Sequence, residues 1–340
     1  MAAIKILFLA DTHLGFDLPL KPRIQRRRRG IDFFENYHCA LEPALMRQVH
    51  LVINGGDMFF RSRVHPRIVN DAFDPLLKIA DSGIPVFIVP GNHERSYIPR
   101  TLFDTHPNLT IFDVPKTSYL KIGEATLALS GFPYYRKGIR RAFGRVVEAT
   151  KYSSEGADFR LLCMHQIVEG AQVGVQNYTF RTGEDVIKCA DIPNHFDAIL
   201  SGHIHREQVL QKDLSGRHLG SPVIYPGSIE RTSFAERNER KGYGILVLHR
   251  KTCDTDSSVR WRFQELPTRP MHSIEIDAGK IITSKIRKII SERILGLDPD
   301  SIVQIRLTGE RRMEILAELN AAFLRSIAPP SMNIELSILT

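Results

Sequence analysis

Short apolar runs alternate with amphipathic stretches along most of the chain, and this alternation predicts an α/β protein. Apolar runs bounded by polar residues predict buried strands at residues 4–10, 51–53, 86–89, 126–129, 161–164, 198–200, 223–225 and 245–248. Helical periodicity falls between several of these runs, for example at 33–47 and 68–80. Strands and helices that alternate in this way are typical of layered α/β folds with buried sheets.

The C-terminal part of the chain has a separate pattern of its own. A proline-containing stretch at 266–270 predicts a linker, and strands at 271–276 and 302–307 follow it, with helices at 280–295 and 311–326. A length of 340 residues also exceeds what a single core usually organises. We therefore predict a large domain over residues 1–266 and a small α+β domain over residues 271–340.

Composition argues against several classes of protein. The first apolar run ends at Asp11, which makes it too short to span a membrane, and it lacks the layout of a signal peptide. The four cysteines are scattered without a CxxC pair, which argues against a zinc finger or a disulfide framework. These features predict a cytoplasmic protein without a membrane partner, associated with the nucleoid if its source is prokaryotic.

Five short polar motifs each follow directly on a predicted strand, and ligands bind beyond the carboxyl ends of strands in α/β sheets. The motifs are Asp11-Thr12-His13, Gly55-Gly56-Asp57, Gly91-Asn92-His93-Glu94, the single His165, and Gly202-His203-Ile204-His205. Residues two apart in extended backbone point to the same side, so each pair with this spacing can converge on one ion. Each motif alone is a common turn or surface feature, but the ordered series of five predicts a metal site.

The ligand types predict two neighbouring cations that share one carboxylate. Asp11, His13, Asp57 and His205 would surround the first cation, and Asp57, Asn92, His165 and His203 would surround the second. Oxygen and imidazole donors without thiolate favour manganese, with magnesium, iron or zinc as alternatives. Two such ions clamp a phosphoryl group and lower the pKa of a water between them. His93 is not needed as a ligand, so it is the candidate acid that stabilises charge or protonates the leaving group.

This series of motifs resembles the calcineurin-like metallophosphoesterase superfamily. Further stretches resemble one branch of it, the SbcD-type DNA repair exonucleases, which are the nuclease subunits of double-strand-break repair complexes. The stretches that carry this second resemblance are residues 11–15 followed by 29–34, residues 225–236, residues 241–244, and Arg269-Pro270. The resemblance spans roughly residues 4–270 and, more weakly, the small C-terminal domain.

The resemblance implies a four-layer α/β sandwich, in which two stacked mixed sheets are flanked by helices, with a small capping domain that helps to orient DNA. It also implies a dimanganese site, exonuclease action on duplex ends and endonuclease action on single strands or hairpins. It further implies a homodimer bound to an SbcC-type ATPase, although no stretch here resembles the C-terminal helical segment with which family members commonly grip that ATPase. Glu94 stands where many of these nucleases carry aspartate, and glutamate there is common in phosphoprotein phosphatases.

The formal net charge of +8 favours a polyanionic partner. Much of the excess lies in two clusters, Lys21, Arg23 and Arg26 to Arg29, and then Arg136, Lys137, Arg140, Arg141, Arg145 and Lys151. A solvated loop explains a single basic run equally well, but two runs beside phosphoryl chemistry favour contact with a phosphate backbone. Because the first cluster follows the first metal motif, we predict DNA contacts at Arg26, Arg27, Arg28 and Arg29. We also predict a DNA contact at Arg231, which lies in the 225–236 stretch.

Three functions remain open from the sequence. A DNA nuclease is favoured by the basic clusters, the 225–236 stretch and the second domain. A phosphomonoesterase or a nucleotide phosphodiesterase would use the same metal ligands, but Asp57 is followed by Met58-Phe59-Phe60, without the arginine of the GDxVDRG pattern of protein phosphatases. An inactive scaffold or DNA-binding subunit on the same fold is the third, and the complete ligand set argues against it. The metal content of the purified protein would test that third hypothesis.

Overall fold

Two large sheets and one small sheet organise the computed structural model, which describes residues 3–21, 26–94, 106–153, 156–249, 258–310 and 312–338. The strands in chain order are β1 (Ile4–Leu9), β2 (Leu51–Asn54), β3 (Val86–Ile88), β4 (Leu109–Ile111), β5 (Lys116–Ile122), β6 (Ala125–Gly131), β7 (Phe159–Met164), β8 (Ile167–Val168), β9 (Gln172–Val173), β10 (Tyr178–Thr179), β11 (Val186–Ile187), β12 (Ala198–Ser201), β13 (Gln208–Lys212), β14 (His218–Tyr225), β15 (Gly242–His249), β16 (Ser258–Glu265), β17 (Met271–Asp277), β18 (Ile302–Thr308) and β19 (Asn333–Ile338). The described α-helices are α1 (Arg29–Leu45), α2 (Pro66–Asp81), α3 (Ile139–Ala149), α4 (Ile286–Leu295), α5 (Arg312–Glu318) and α6 (Ala321–Ile327). None of these helices is long and apolar enough to cross a membrane.

Both large sheets have six strands and a parallel centre. The first has the order β16-β15-β1-β2-β3-β4, and β1 to β4 run parallel to one another. The second has the order β13-β14-β12-β7-β6-β5, with β14, β12, β7 and β6 parallel and an antiparallel strand at each edge. Parallel strands bring their carboxyl ends to one edge of a sheet, so each sheet gathers the loops that follow its central strands.

Side-chain alternation along the strands creates the layers. Leu161 of β7 points into the core between the two sheets together with Phe8 of β1. The next residue, Leu162, points the other way and packs with Phe143 of α3. On the first sheet, Leu7 likewise faces away from the second sheet, into the core formed with α1 and α2. Successive strand residues face opposite sides, so this alternation builds a helix–sheet–sheet–helix sandwich and confirms the predicted four-layer fold.

The C-terminal segment has a core of its own. Strands β17, β18 and β19 form a parallel sheet in that order, and the helices α4, α5 and α6 lie between them in the chain. Its buried residues include Ile276, Ile290, Ile305 and Leu324. The segment combines strands and helices as expected from the sequence, and its connections are of the β-α-β type. The proposed division into residues 1–266 and 271–340 remains a prediction.

Every strand predicted from the apolar runs is present, whereas the helices depart from expectation in three places. The stretch 280–295 begins as a turn of 3-10 helix and becomes α-helical only at Ile286. The stretch 311–326 divides into two helices because the Asn320 side chain accepts a hydrogen bond from the backbone N–H of Phe323 and caps a new helix. Arg311 lies outside the described residues. Helix α3, within the second basic cluster, was not predicted.

Candidate metal centre

The five polar motifs meet where the central strands of both sheets end. Asp11 and His13 follow β1, Asp57 follows β2, Asn92 and His93 follow β3, His165 follows β7, and His203 and His205 follow β12. The motifs also join the two sheets directly, since the backbone N–H of His203 donates to Asp11 Oδ2 at 3.0 Å. A cleft of about 270 Å³ opens over them, lined by His13, Asp57, Phe60, Asn92, His93, His203, His205 and Thr232.

One group of donors corresponds to the first predicted cation. The ligand atoms of Asp11, His13 and His205 lie within 4.8 Å of one another. His13 Nε2 is 2.9 Å from His205 Nε2, and the latter is 3.9 Å from Asp11 Oδ1. Two imidazole nitrogens that face each other at this distance need a proton or a cation between them, because two facing lone pairs would repel each other.

A second group corresponds to the other predicted cation. The ligand atoms of Asp57, His165 and His203 also lie within 4.8 Å of one another. Asn92 Oδ1 lies 3.1 Å from His165 Nε2 and 2.9 Å from His203 Nδ1, and Asp57 Oδ1 is 3.5 Å from His165 Nε2. Four donors from both sheets therefore surround one point. Asp57 also groups with His13 and His93, so its carboxylate lies between the two sets.

Four of these residues have left-handed backbone conformations. Asp11 has φ of 51°, His13 of 42°, Asp57 of 50° and His203 of 82°. Such values are uncommon outside glycine and cost free energy that the surrounding structure must supply. Strain of this kind clusters at functional sites, and here it coincides with residues proposed as ligands.

Glycine is required where the motif loops touch. A Cβ atom on Gly91 would lie 2.3 Å from the backbone nitrogen of Asp57, and a Cβ on Gly56 would lie 2.5 Å from His165 Nδ1. Gly56 also has a φ of 102°. The glycines of these motifs therefore allow the ligand-bearing loops to approach more closely than any other residue would permit.

Glu94 links two of these loops, although the sequence only marked it as a departure from the family pattern. Its side chain is buried, with Oε2 accepting from the backbone N–H groups of Asp57 at 2.9 Å and Gly91 at 2.7 Å. Its Oε1 accepts from the backbone N–H of Phe59 at 3.0 Å. Glu94 therefore holds the loop after β2 against the loop after β3.

A buried ion-pair network behind His205 also escaped the sequence reasoning. His205 Nδ1 lies 3.1 Å from Glu236 Oε1, and the fully buried Lys241 contacts Glu236 Oε2 at 2.6 Å and Glu239 Oε2 at 3.1 Å. Carboxylates placed behind a metal-binding histidine fix its ring orientation and tautomer. The only signal in the sequence was that both glutamates and the lysine lie in or near the 225–244 stretches that resemble the SbcD-type nucleases.

The protonation states of these groups follow from burial and from one another. Burial lowers the pKa of His13 and of His203 to about 3, so both rings are neutral as metal ligands must be. Burial alone would raise the pKa of Asp57, but His165 holds it well below its usual range. Burial alone would also lower the pKa of His165, and Asp57 instead raises it to about 9. The donors that gather here are those that divalent cations bind, so the residues fit two metal ions.

His93 occupies a different position from the ligands. Its Nδ1 is 2.7 Å from the carbonyl oxygen of Phe60, which can only accept, so Nδ1 carries a proton. Its Nε2 lies 3.8 Å from Asp57 Oδ2, and its side chain is 31% exposed, whereas that of His165 is fully buried. His93 therefore presents Nε2 to the open side of the cleft, where a substrate would lie.

Comparison with known proteins agrees with this arrangement. The model of the family described as Calcineurin-like phosphoesterase matches residues 4–207, which include all seven candidate ligands and His93. The chain belongs to the calcineurin-like phosphoesterase family. As a member of this family it is a metallophosphoesterase-type hydrolase, with aspartate and histidine clusters that could bind two divalent ions.

Relatives of this phosphoesterase include DNA repair proteins. It is 24% identical over 325 residues to the DNA double-strand break repair protein Mre11 of Thermoplasma acidophilum, covering 92% of this chain and 79% of that protein. It is 24% identical over 342 residues to the protein of the same name from Archaeoglobus fulgidus, covering 95% of this chain and 72% of that protein. Among solved structures, a dimetal phosphatase from Danio rerio is 11% identical, with a TM-score of 0.44, and the match covers 77% of this chain and 98% of that one.

The five arginines predicted to contact DNA make hydrogen bonds or ion pairs with other residues of this phosphoesterase. Arg26 donates to the carbonyl oxygens of Pro329 and Met332, and Arg27 pairs with Asp32 at 2.7 Å. Two further arginines behave in the same way: Arg29 is buried and donates to the carbonyl oxygen of Arg231, while Arg231 donates to those of Glu239 and Arg269. Arg28 pairs with Asp17 at 3.4 Å. DNA contact by these five arginines remains a prediction, and Arg23 lies outside the described residues.

Proposed function

We propose that this phosphoesterase is a metal-dependent DNA nuclease that hydrolyses phosphodiester bonds in DNA repair. The observation that carries the proposal is the pair of donor sets that share Asp57 beneath an open cleft, with His93 at its rim. Relatives named as DNA double-strand break repair proteins align with 92% and 95% of the chain, which supports DNA as the substrate. We propose manganese as the metal, exonuclease action on duplex ends, and endonuclease action on single strands or hairpins.

Two bound cations would supply Lewis-acid chemistry, polarising the phosphoryl oxygens and activating a water for in-line attack. The residues of the chain prepare this site in advance. Asp57 lies between the two donor sets, Glu94 fixes the loops that carry Asp57 and Asn92, and Glu236 orients His205. Because these supports are buried, the donors keep their geometry without reorganising when the substrate binds.

His93 would act on the leaving group. Its Nδ1–H is fixed by the carbonyl oxygen of Phe60, so the proton it can transfer is the one on Nε2, which faces the cleft. A protonated Nε2 can donate to the sugar oxygen that departs from phosphorus, or stabilise the negative charge there. Removing such an acid typically slows a reaction by about 10²- to 10⁴-fold.

A substrate comparison tests the proposal. Purified protein is incubated with end-labelled duplex DNA, with single-stranded DNA and with a chromogenic phosphomonoester, each with manganese, with magnesium and with a chelator. We expect manganese-dependent cleavage of DNA that the chelator abolishes. Turnover of the phosphomonoester with intact DNA would overturn the nuclease assignment in favour of a phosphomonoesterase. A homodimer and an SbcC-type ATPase partner remain predictions, which sedimentation and co-purification would test.

A further inference from the structure

The second basic cluster forms an exposed cationic surface at the start of helix α3. We call this surface the α3 basic face and define it by Arg136, Lys137, Arg141 and Arg145, all of which are exposed. None of the four makes an ion pair or a side-chain hydrogen bond with another part of the chain that the structure describes. Their charges are therefore not neutralised there, which is unlike the situation of the first cluster.

The α3 basic face begins beside the candidate metal ligands. Strand β6 runs parallel to β7, so the loop after β6 starts at the level of His165. In this loop the ring of Tyr134 lies 5.5 Å from that of His203 and 5.8 Å from that of His165, between ring centroids. Gln166 also donates to the carbonyl oxygen of Tyr135 at 3.4 Å. Arg136 is thus two residues beyond Tyr134, whose ring packs on two of the proposed ligands.

Helix α3 extends this surface away from the cleft. Its apolar residues, among them Ile139, Phe143 and Val147, are buried against the second sheet. Arg141 and Arg145 are four residues apart and therefore neighbours on the solvent side, with Cβ atoms about 5–6 Å apart. The cations thus form a row that starts near the metal centre and follows the helix surface outwards.

Arg140 differs from its neighbours because it links the start of the helix to the segment that contains Glu184 and Val186. Its backbone N–H donates to the carbonyl oxygen of Glu184 at 3.1 Å, and its Nη1 donates to that of Val186 at 3.2 Å. Together with Arg141 and Glu184 it lines a shallow groove of about 260 Å³. Arg140 therefore holds the start of α3 in place, and the four residues of the α3 basic face remain available for an anionic partner.

We propose that the α3 basic face binds the phosphate backbone of duplex DNA whose end or scissile bond lies in the metal cleft. The proposal rests on the nuclease function proposed above and assigns its substrate-holding surface. A row of uncompensated cations that leads away from a phosphodiesterase site matches a backbone with regularly spaced phosphates. Each phosphate that is neutralised releases counterions, which gives binding without sequence preference.

The test measures the salt dependence of duplex binding. Binding of a short fluorescent duplex is followed by anisotropy over a range of potassium chloride concentrations, in chelator, for the wild type and for Arg141→Ala/Arg145→Ala. The matched control is Lys78→Ala/Lys121→Ala, which removes the same charge from two other exposed positions. Lys78 lies in α2, which precedes β3, and Lys121 pairs with Thr126 at the start of β6, so both lie toward the amino ends of parallel strands. Melting temperature and manganese content of each variant show that fold and metal centre are intact.

We expect the Arg141/Arg145 variant to lose about tenfold or more in affinity, with a log–log salt slope shallower by about 0.9 for each contact removed, or about 2 in all. The control variant should match the wild type in both. Equal affinity and slope in the wild type and in both variants would overturn the proposal and leave the nuclease function intact. A wild type that neither binds nor cleaves DNA, yet turns over a phosphomonoester, would overturn the proposed function and this inference with it.

Discussion

The two arginine-rich clusters have nearly the same composition and opposite surroundings. In the first, Arg26 and Arg29 donate to backbone carbonyl oxygens, and Arg27 pairs with Asp32. In the second, Arg141 and Arg145 are exposed and make no ion pair with a described residue. A basic run therefore does not reveal its role by charge alone, because the role depends on which carbonyls and carboxylates the fold brings to it.

The first cluster fastens the C-terminal segment to the catalytic sandwich. Arg26 binds carbonyl oxygens of the turn between α6 and β19, and Asn333 at the start of β19 donates to the carbonyl oxygen of Arg27. Arg269 completes the junction, with Asp32 on one side and Asn333 on the other. In the described structure these arginines hold the C-terminal segment against the sandwich, and their contact with DNA remains a prediction.

The largest expected loss of stability follows from removing the Arg269 side chain, which links the C-terminal segment to the sandwich. Its side chain is 8% exposed, and its guanidinium pairs with Asp32 at 3.0 Å and also donates to the carbonyl oxygens of Asp300 and Ser331. Arg269→Ala should lower the free energy of unfolding by about 3 kcal/mol, since it removes several charged hydrogen bonds at once, although Asp32 keeps its ion pair with Arg27. Urea denaturation measures this, with the exposed Lys288→Ala as the control. A loss of unfolding free energy no larger than that of the control would show that stability does not depend on these Arg269 contacts.

Metal binding at the candidate centre should depend on pH. Because Asp57 outweighs burial and raises the pKa of His165 to about 9, the metal-free ring is protonated at neutral pH and must lose this proton to bind a cation. Manganese affinity should therefore rise with pH, by about tenfold per unit between pH 7 and pH 9 if one proton is released. Calorimetric titration at several pH values measures it. An affinity that stays flat or falls over this range would contradict the placement of His165 as a ligand.

A smaller effect is expected for Arg26, which joins the same two parts through carbonyl oxygens alone. Arg26→Ala removes charged hydrogen bonds to Pro329 and Met332 and should cost about 1–3 kcal/mol of unfolding free energy. Arg28→Ala is the control, because Arg28 makes one exposed ion pair worth about 0–1 kcal/mol. If instead Arg26→Ala spared stability and made the salt slope of DNA binding shallower, the first cluster would contact DNA after all.

The smallest effect on stability is expected in the second cluster. Arg145→Ala should change the free energy of unfolding by no more than about 0.5 kcal/mol, because the side chain is exposed and unpaired among the described residues. Thermal melting of the two variants compares their losses of stability directly, and Arg26→Ala should lose more than Arg145→Ala. A large drop for Arg145→Ala would mean that the two clusters share a structural role.

The strands, and the meeting of the candidate ligands at their ends, could be predicted because both depend on local patterns. Apolar runs mark buried strands, and parallel packing then carries Asp11 and Asp57 to the carboxyl edge of the first sheet and His165 to that of the second. The network of Glu236 and Lys241 behind His205 could not be predicted, since the histidine and its carboxylate are 31 residues apart and nothing local pairs them. The same is true of the Arg26 contact with Pro329, 303 residues away.

Helix α3 was missed for a different reason. Its second and third residues are arginines, and its N-cap is Gly138 in a left-handed conformation without a side-chain cap. The sequence therefore offers neither a capping residue nor an acidic first turn at this point, and it indicates only the charge of the run. The helix becomes visible once the buried positions of Ile139, Phe143 and Val147 are known.

In the proposed function, a two-metal centre around Asp57 cleaves DNA, and His93 assists departure of the sugar oxygen. The most direct test measures bound manganese and the rate of duplex DNA cleavage together, for the wild type and for His93→Ala. We predict two manganese ions per chain in both proteins and a loss of about 10²- to 10⁴-fold in the cleavage rate of the variant. Unchanged cleavage by His93→Ala, or a wild type that holds two ions and leaves DNA intact, would contradict the account.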